Sequence, residues 1–128
     1  MKRTSLVMLF ISLMIFACKK NKDTVEDGPG EIYGRWKLTE TLADPGDGSG
    51  RYMKVKGNPQ YLNLERSGQM NGDALSDLQT FKILDSVTME VYSKSYMRSI
   101  PYRYKVSARS LTLNPPCFEG CGYRFVRE

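Results

Sequence analysis

The sequence predicts an all-β domain, a small antiparallel up-and-down β-barrel of about eight strands. Two observations predict it. From about residue 32 onward, short segments alternate apolar and polar side chains with a period of two. Tight turn clusters separate these segments, and no long stretch carries a helical period. A sheet that is apolar on one face has to bury that face, and closing on itself also removes its exposed edges. The connections are short, whereas a two-sheet sandwich with Greek-key crossovers needs at least one long connection. The barrel follows.

The strands are expected in this order. Trp36, Leu38, Glu40 and Leu42 share one face, with Arg35, Lys37, Thr39 and Thr41 on the other. Tyr52 to Lys56 sets Met53 and Val55 against Tyr52, Lys54 and Lys56. Leu62 and Leu64 alternate with Asn63 and Glu65, and Phe81 and Ile83 flank Lys82. Val87, Met89 and Val91 alternate with Thr88 and Glu90. Ile100, Tyr102, Tyr104 and Val106 alternate with Arg103 and Lys105. Leu111 and Leu113 flank Thr112, and Tyr123 and Phe125 flank Arg124. Asp44–Gly50, Gly57–Pro59, Ser67-Gly68, Asn71–Asp73, Leu84–Ser86 and Ser107–Ser110 are rich in residues that favour turns. Asp73 to Leu78 is the one place where a single short turn of helix is expected. By face, the barrel lining comes from Trp36, Leu38, Glu40, Leu62, Leu64, Phe81, Met89, Tyr102, Tyr104 and Phe125. Glu40 is the one acid on the apolar face. It is either a buried carboxyl or ligand anchor with a raised pKa, or a rim residue that stays solvated.

The amino terminus fixes an expected location. Met1-Lys2-Arg3 precedes an apolar run from Leu6 to Ala17, broken by Ser12 and followed by Cys18. A basic start, a short apolar core and a small residue at the cut site make a secretory signal. The run is about twelve residues, and roughly twenty are needed to span a bilayer. Ile15, Ala17 and Cys18 resemble the bacterial lipobox, which implies cleavage before Cys18 and lipid on its sulfur. Two acyl chains give stable anchoring. Residues 1–17 are therefore read as a lipoprotein signal peptide and residues 18–31 as a flexible tether, charged and poor in apolar side chains. Residues 32–128 form the barrel domain. Lys19, Lys20 and Lys22 sit where anionic headgroups would be. Lysines after the cysteine, in place of an acidic run, favour a periplasm-facing lipoprotein of the outer membrane.

The formal charge is +5 over 128 residues, and Lys2 and Arg3 leave with the signal. The remaining basic residues are spread rather than clustered, and an exported, tethered chain is a poor partner for nucleic acid. A monomer is expected.

Gly34-Arg35-Trp36, at the start of the first strand, resembles the Gly-x-Trp signature that opens lipocalin-like barrels. A Gly/Asp-rich loop, a run of hairpins and a Cys-containing close before a final Arg-Phe strand continue the pattern. From about Ile32 to Glu128 the chain is similar to the small lipocalin-like lipoproteins common in Bacteroidota. The resemblance implies a barrel able to bind a small apolar ligand. It also implies an arginine near the last strand packed over the signature tryptophan. Arg127 is in phase with Tyr123 and Phe125 and is the residue for that role. The bare sequence leaves a solvated terminal arginine equally open.

Cys117 and Cys121 follow Pro115-Pro116 in the last hairpin loop. In an oxidising compartment they are expected to pair, with Cys18 spent on lipid. Two thiolates without any histidine do not complete a zinc site, and Cys-x-x-Cys redox spacing is absent. Asp44–Gly50 echoes a calcium loop, but the spacing puts Ala43 and Pro45 at the first two ligand positions. No cofactor is expected. The lack of histidine removes the commonest general base, so catalysis ranks last. Two functional classes stand ahead of it. The leading one is a tethered envelope lipoprotein with an apolar ligand in the barrel. The other is an envelope scaffold or protein-interaction lipoprotein, inhibitors included, with a filled core and with Tyr92, Tyr96 or Phe118 as surface anchors.

Overall fold

The computed structural model describes residues 30–128. The signal segment, Cys18 and nearly all of the tether lie outside the described residues. Nine strands form: β1 (Gly34–Ala43), β2 (Tyr52–Lys54), β3 (Tyr61–Leu64), β4 (Met70–Asn71), β5 (Leu78–Ile83), β6 (Thr88–Ser93), β7 (Arg98–Val106), β8 (Ser110–Asn114) and β9 (Cys121–Arg127). Every pairing is antiparallel. β1 pairs with β9 on one side. On the other side it takes β3 along Gly34–Lys37 and β2 along Glu40–Leu42. β2 and β3 are thus two halves of one stave, broken around Gly57, whose φ of 95° suits only glycine well.

Going round, the staves run β4, β3, β1, β9, β8, β7, β6, β5. A bridge between Gln69 and Thr80, and a bond from Phe81 N–H to the Gly68 carbonyl at 2.9 Å, join β4 to β5. The result is the expected up-and-down barrel, nearly closed. Its eight staves are reached differently from the expectation. Tyr52–Lys56 and Leu62–Leu64 share one stave, and the two-residue β4 is the one that alternation could not reveal.

The meander puts the connections at two ends. Residues 44–51, 72–77, 94–97 and 115–120 lie at one end, the loop end. Residues 30–33, 65–69, 84–87 and 107–109 lie at the other, the floor. Between them the core is apolar. Trp36, Leu38, Leu62, Leu64, Phe81, Met89, Tyr102 and Phe125 are all buried, joined by Ile32, Met70, Leu78, Val91, Leu111 and Leu113. Tyr104 is half-buried, packs against this cluster and donates its hydroxyl to the Asp85 carbonyl at 2.8 Å.

Glu40 is a correction. The register of β1 on β9 slips between Leu38 and Glu40, so Leu38 faces Phe125 while Glu40 faces Arg124. Thr39 is the extra residue of a β-bulge, and its hydroxyl donates to the Arg124 carbonyl at 3.0 Å. One inserted residue moves everything after it to the opposite face. Glu40 therefore lies on the outer surface, 3.1 Å from the Arg124 guanidinium, and does not line the barrel. Leu42 goes outward with it, and Thr41 turns inward opposite Tyr123 and Met53. The Asp73–Leu78 helix is not formed either. The segment is a hydrogen-bonded turn, closed by Leu78 N–H on the Leu75 carbonyl at 3.1 Å.

Candidate functional site

The barrel interior is filled. Trp36, Leu62, Met89, Val91, Leu111 and Leu113 have no exposed surface, and Leu64 and Phe125 are within 1% of none. Four of the clefts formed by the described residues lie on its surface. Their walls come from Ser86–Val87 with Arg103–Val106 and Asn114, from Ala108–Arg109 with Val126–Glu128, from Gln69–Gly72 with Ser76–Thr80 and Lys94, and from Ala43–Asp44 with Cys117–Cys121. None of these four takes in Trp36, Leu38, Leu62, Leu64, Phe81, Met89, Tyr102 or Phe125. These eight side chains belong to one packed cluster, whereas Tyr104 reaches one of the clefts and Glu40 lies outside the barrel.

The floor is held by Arg127. Its guanidinium lies 4.1 Å from the centre of the Trp36 ring and donates to the carbonyls of Ala108 and Tyr33 at 2.9 Å each, and to that of Glu31. Trp36 Nε1–H donates to the Ile32 carbonyl at 2.8 Å. Residues 31–33 are thereby strapped across the barrel bottom. Arg66 reinforces the strap, pairing with Glu31 and stacking over Tyr33 at 4.8 Å.

The loop end differs. Beyond the bulge Met53 is 62% exposed although it shares the inner face with Thr41 and Tyr123. Phe118 stands wholly exposed on the β8–β9 loop. That loop is stiff for its length. Cys117 and Cys121 are disulfide-bonded, with Cα atoms 5.9 Å apart. Pro115 and Pro116 fix φ before it. Gly120 takes φ 64°, and its carbonyl accepts from Asp44 N–H at 3.1 Å. Asn114 Nδ2 donates to the Cys121 carbonyl at 3.2 Å. On the β6–β7 turn Tyr96 and Met97 are both exposed, and Met97 takes φ 51°, a left-handed conformation rare for its type.

Two carboxylates at this end are engaged in hydrogen bonds, Asp44 within its own loop and Asp77 across to the β6–β7 turn. Asp44 accepts from the N–H groups of Gly46 at 2.8 Å and of Gly48 and Gly50 at 3.1 Å, and these bonds hold its pKa below the usual range. The calcium-like loop thus caps its own amides. Asp77 accepts from the hydroxyls of Ser93 and Ser95 and from Ser95 N–H, which lowers its pKa too. Tyr102, inside the barrel, has its phenol pushed up to about 12 by burial, with Tyr123 and Asp77 adding to the shift. Among the described residues, no group of three or more His, Cys, Asp or Glu could hold a metal ion.

Of the surface residues expected as anchors, Phe118 and Tyr96 are exposed at the loop end. Tyr92 is half-buried near the end of β6. Met53 and Met97 were not foreseen. Alternation gives Met53 a face but not its exposure, and an isolated methionine in a turn carries no periodic signal. No family model, curated protein or solved structure matches the chain.

Proposed function

We propose that this chain is a membrane-tethered lipoprotein of the bacterial cell envelope whose lipocalin-like barrel serves as a filled scaffold for binding another envelope protein. One observation carries the reading. The interior is packed shut, while Phe118 is displayed in full on a disulfide-closed loop at the end away from where the chain enters. A rigid, exposed aromatic is a typical anchor, because little conformational freedom is lost when it enters a partner's pocket. Tyr96, Met97 and Met53 stand at the same end of the barrel. An apolar ligand inside the barrel would instead require the packed core to open, at a cost of several kcal/mol for each large side chain displaced.

The test places a photo-crosslinking residue at Met97 in the full chain in its bacterial host. The reading expects one adduct with an envelope protein, with a yield at least tenfold lower in the Phe118→Ala background. A crosslinker at Lys82, near the floor, should give no such adduct. An adduct indifferent to Phe118, or no protein adduct at all, overturns the reading. A small apolar molecule retained by the purified chain in native mass spectrometry would restore ligand binding as the function.

A further inference from the structure

The floor carries a second unpartnered surface of different chemistry. The β5–β6 turn holds Leu84 at 50% and Val87 at 47% exposure. The turn is well braced. Leu84 and Asp85 N–H groups donate to the Thr88 carbonyl at 3.0 and 3.2 Å. Asp85 Oδ1 accepts from Val87 and Thr88 N–H at 2.8 and 2.7 Å, so its carboxylate is folded into the turn. Val87 shares one open cleft with Arg103 and Lys105, both exposed on the outer face of β7. Lys82 is exposed on β5, opposite Glu90. The same end receives the rest of the chain. The tether that begins at Cys18 joins the barrel here, and Gly30 lies so close to the Ser107 carbonyl that a Cβ would collide with it.

We propose that this edge, the Leu84–Val87 turn with Arg103 and Lys105, rests on the anionic headgroup surface of a lipid bilayer. Two apolar side chains on a braced turn can settle between headgroups while two adjacent cations meet lipid phosphates. The position of the chain's entry selects this occupant over a protein partner. A tether leaving from the floor turns that end toward the membrane and the Phe118 end away from it. The inference rests on the membrane tether of the reading above, for delivery of the barrel to the bilayer.

The experiment uses the full chain as isolated from membranes, carrying an environment-sensitive fluorescent amino acid at Val87 or, separately, at Phe118. It is reconstituted in vesicles of phosphatidylethanolamine and phosphatidylglycerol containing a shallow nitroxide-labelled lipid. The position 87 probe should be quenched and the position 118 probe should not. Each basic residue near such a surface favours contact by about fivefold. Arg103→Gln with Lys105→Gln should therefore weaken the edge contact by about twenty-five-fold, and pure phosphatidylcholine vesicles should also reduce the quench. Inorganic phosphate at constant ionic strength should leave the quench unchanged. A vesicle-bound chain with an unquenched position 87, or with equal quenching at position 118, overturns the proposal and leaves the tether standing. Quenching that survives both glutamine substitutions also overturns it. A chain that does not sediment with vesicles overturns the tether and this proposal together.

Discussion

Arg127→Ala removes the side chain that ties the last strand to the entering chain, and its cost can be built from the contacts. Two of its bonds, to the carbonyls of Ala108 and Tyr33, are partly buried, and the third, to Glu31, is exposed. A net value of about 1 kcal/mol for each of the two partly buried bonds is conservative for a charged donor. The exposed bond adds little. The stacking over Trp36 at 4.1 Å contributes about 1 kcal/mol more. The expected loss is about 3 kcal/mol, a large share of the roughly 5–15 kcal/mol that holds a typical domain together. The assay is urea unfolding followed by tryptophan emission. Trp36 is the only tryptophan in the chain and has no exposed surface, so its emission reports the floor directly. With a denaturant slope of about 2 kcal/mol per molar, the midpoint should fall by about 1.5 M. Arg127→Lys keeps the charge but cannot reach three carbonyls with one ammonium, so it should recover only part of the loss. A loss below about 1 kcal/mol for alanine, or full recovery by lysine, would refute the reasoning.

Three further outcomes are expected. Glu40→Gln should cost under about 1 kcal/mol, as for an exposed ion pair, and show weak coupling to Arg124→Gln in a double-mutant cycle. A loss above about 2 kcal/mol would return Glu40 to the interior. Replacing Cys117 and Cys121 with serine opens a five-residue loop, and the chain-entropy relation gives a loss of about 2 kcal/mol, to be read from thermal midpoints of the two forms. Alkaline stability should follow Tyr102. Its phenol ionises near 10 in the unfolded chain and at about 12 in the fold. The unfolded state therefore loses its proton first as pH rises. The contribution is complete below pH 10 and lost between about 10 and 12. Tyr102→Phe should flatten that decline in urea midpoints, and parallel pH profiles for the two proteins would count against burial of the phenol.

Much of the fold was legible because burying one face of a sheet imposes a period of two. Trp36, Leu38, Leu62, Leu64, Met89, Leu111, Leu113 and Phe125 all fell on the inner face that alternation assigned them. Alternation failed where a strand changes register. The bulge at Thr39 is set by how β1 meets β9, so Glu40 and Leu42 were placed on the wrong face. β4 escaped because two residues are too few to show a period. At the loop end, Phe118 was legible as an aromatic between two cysteines. Met97 was not, since its exposure follows from the left-handed turn it occupies.

The sequence by itself determined the class of the domain, the meander of short connections, the pairing of Cys117 with Cys121 and most of the core. Each of these follows from local chemistry: alternation, turn residues, or two thiols held close by a short loop. Only the tertiary structure decided that the barrel is filled, that Arg127 straps the floor, that Glu40 faces water and that Met53, Tyr96 and Met97 share the exposed end with Phe118. Those depend on which strand lies beside which and in what register, and hydrogen bonding between residues far apart in the chain sets that register.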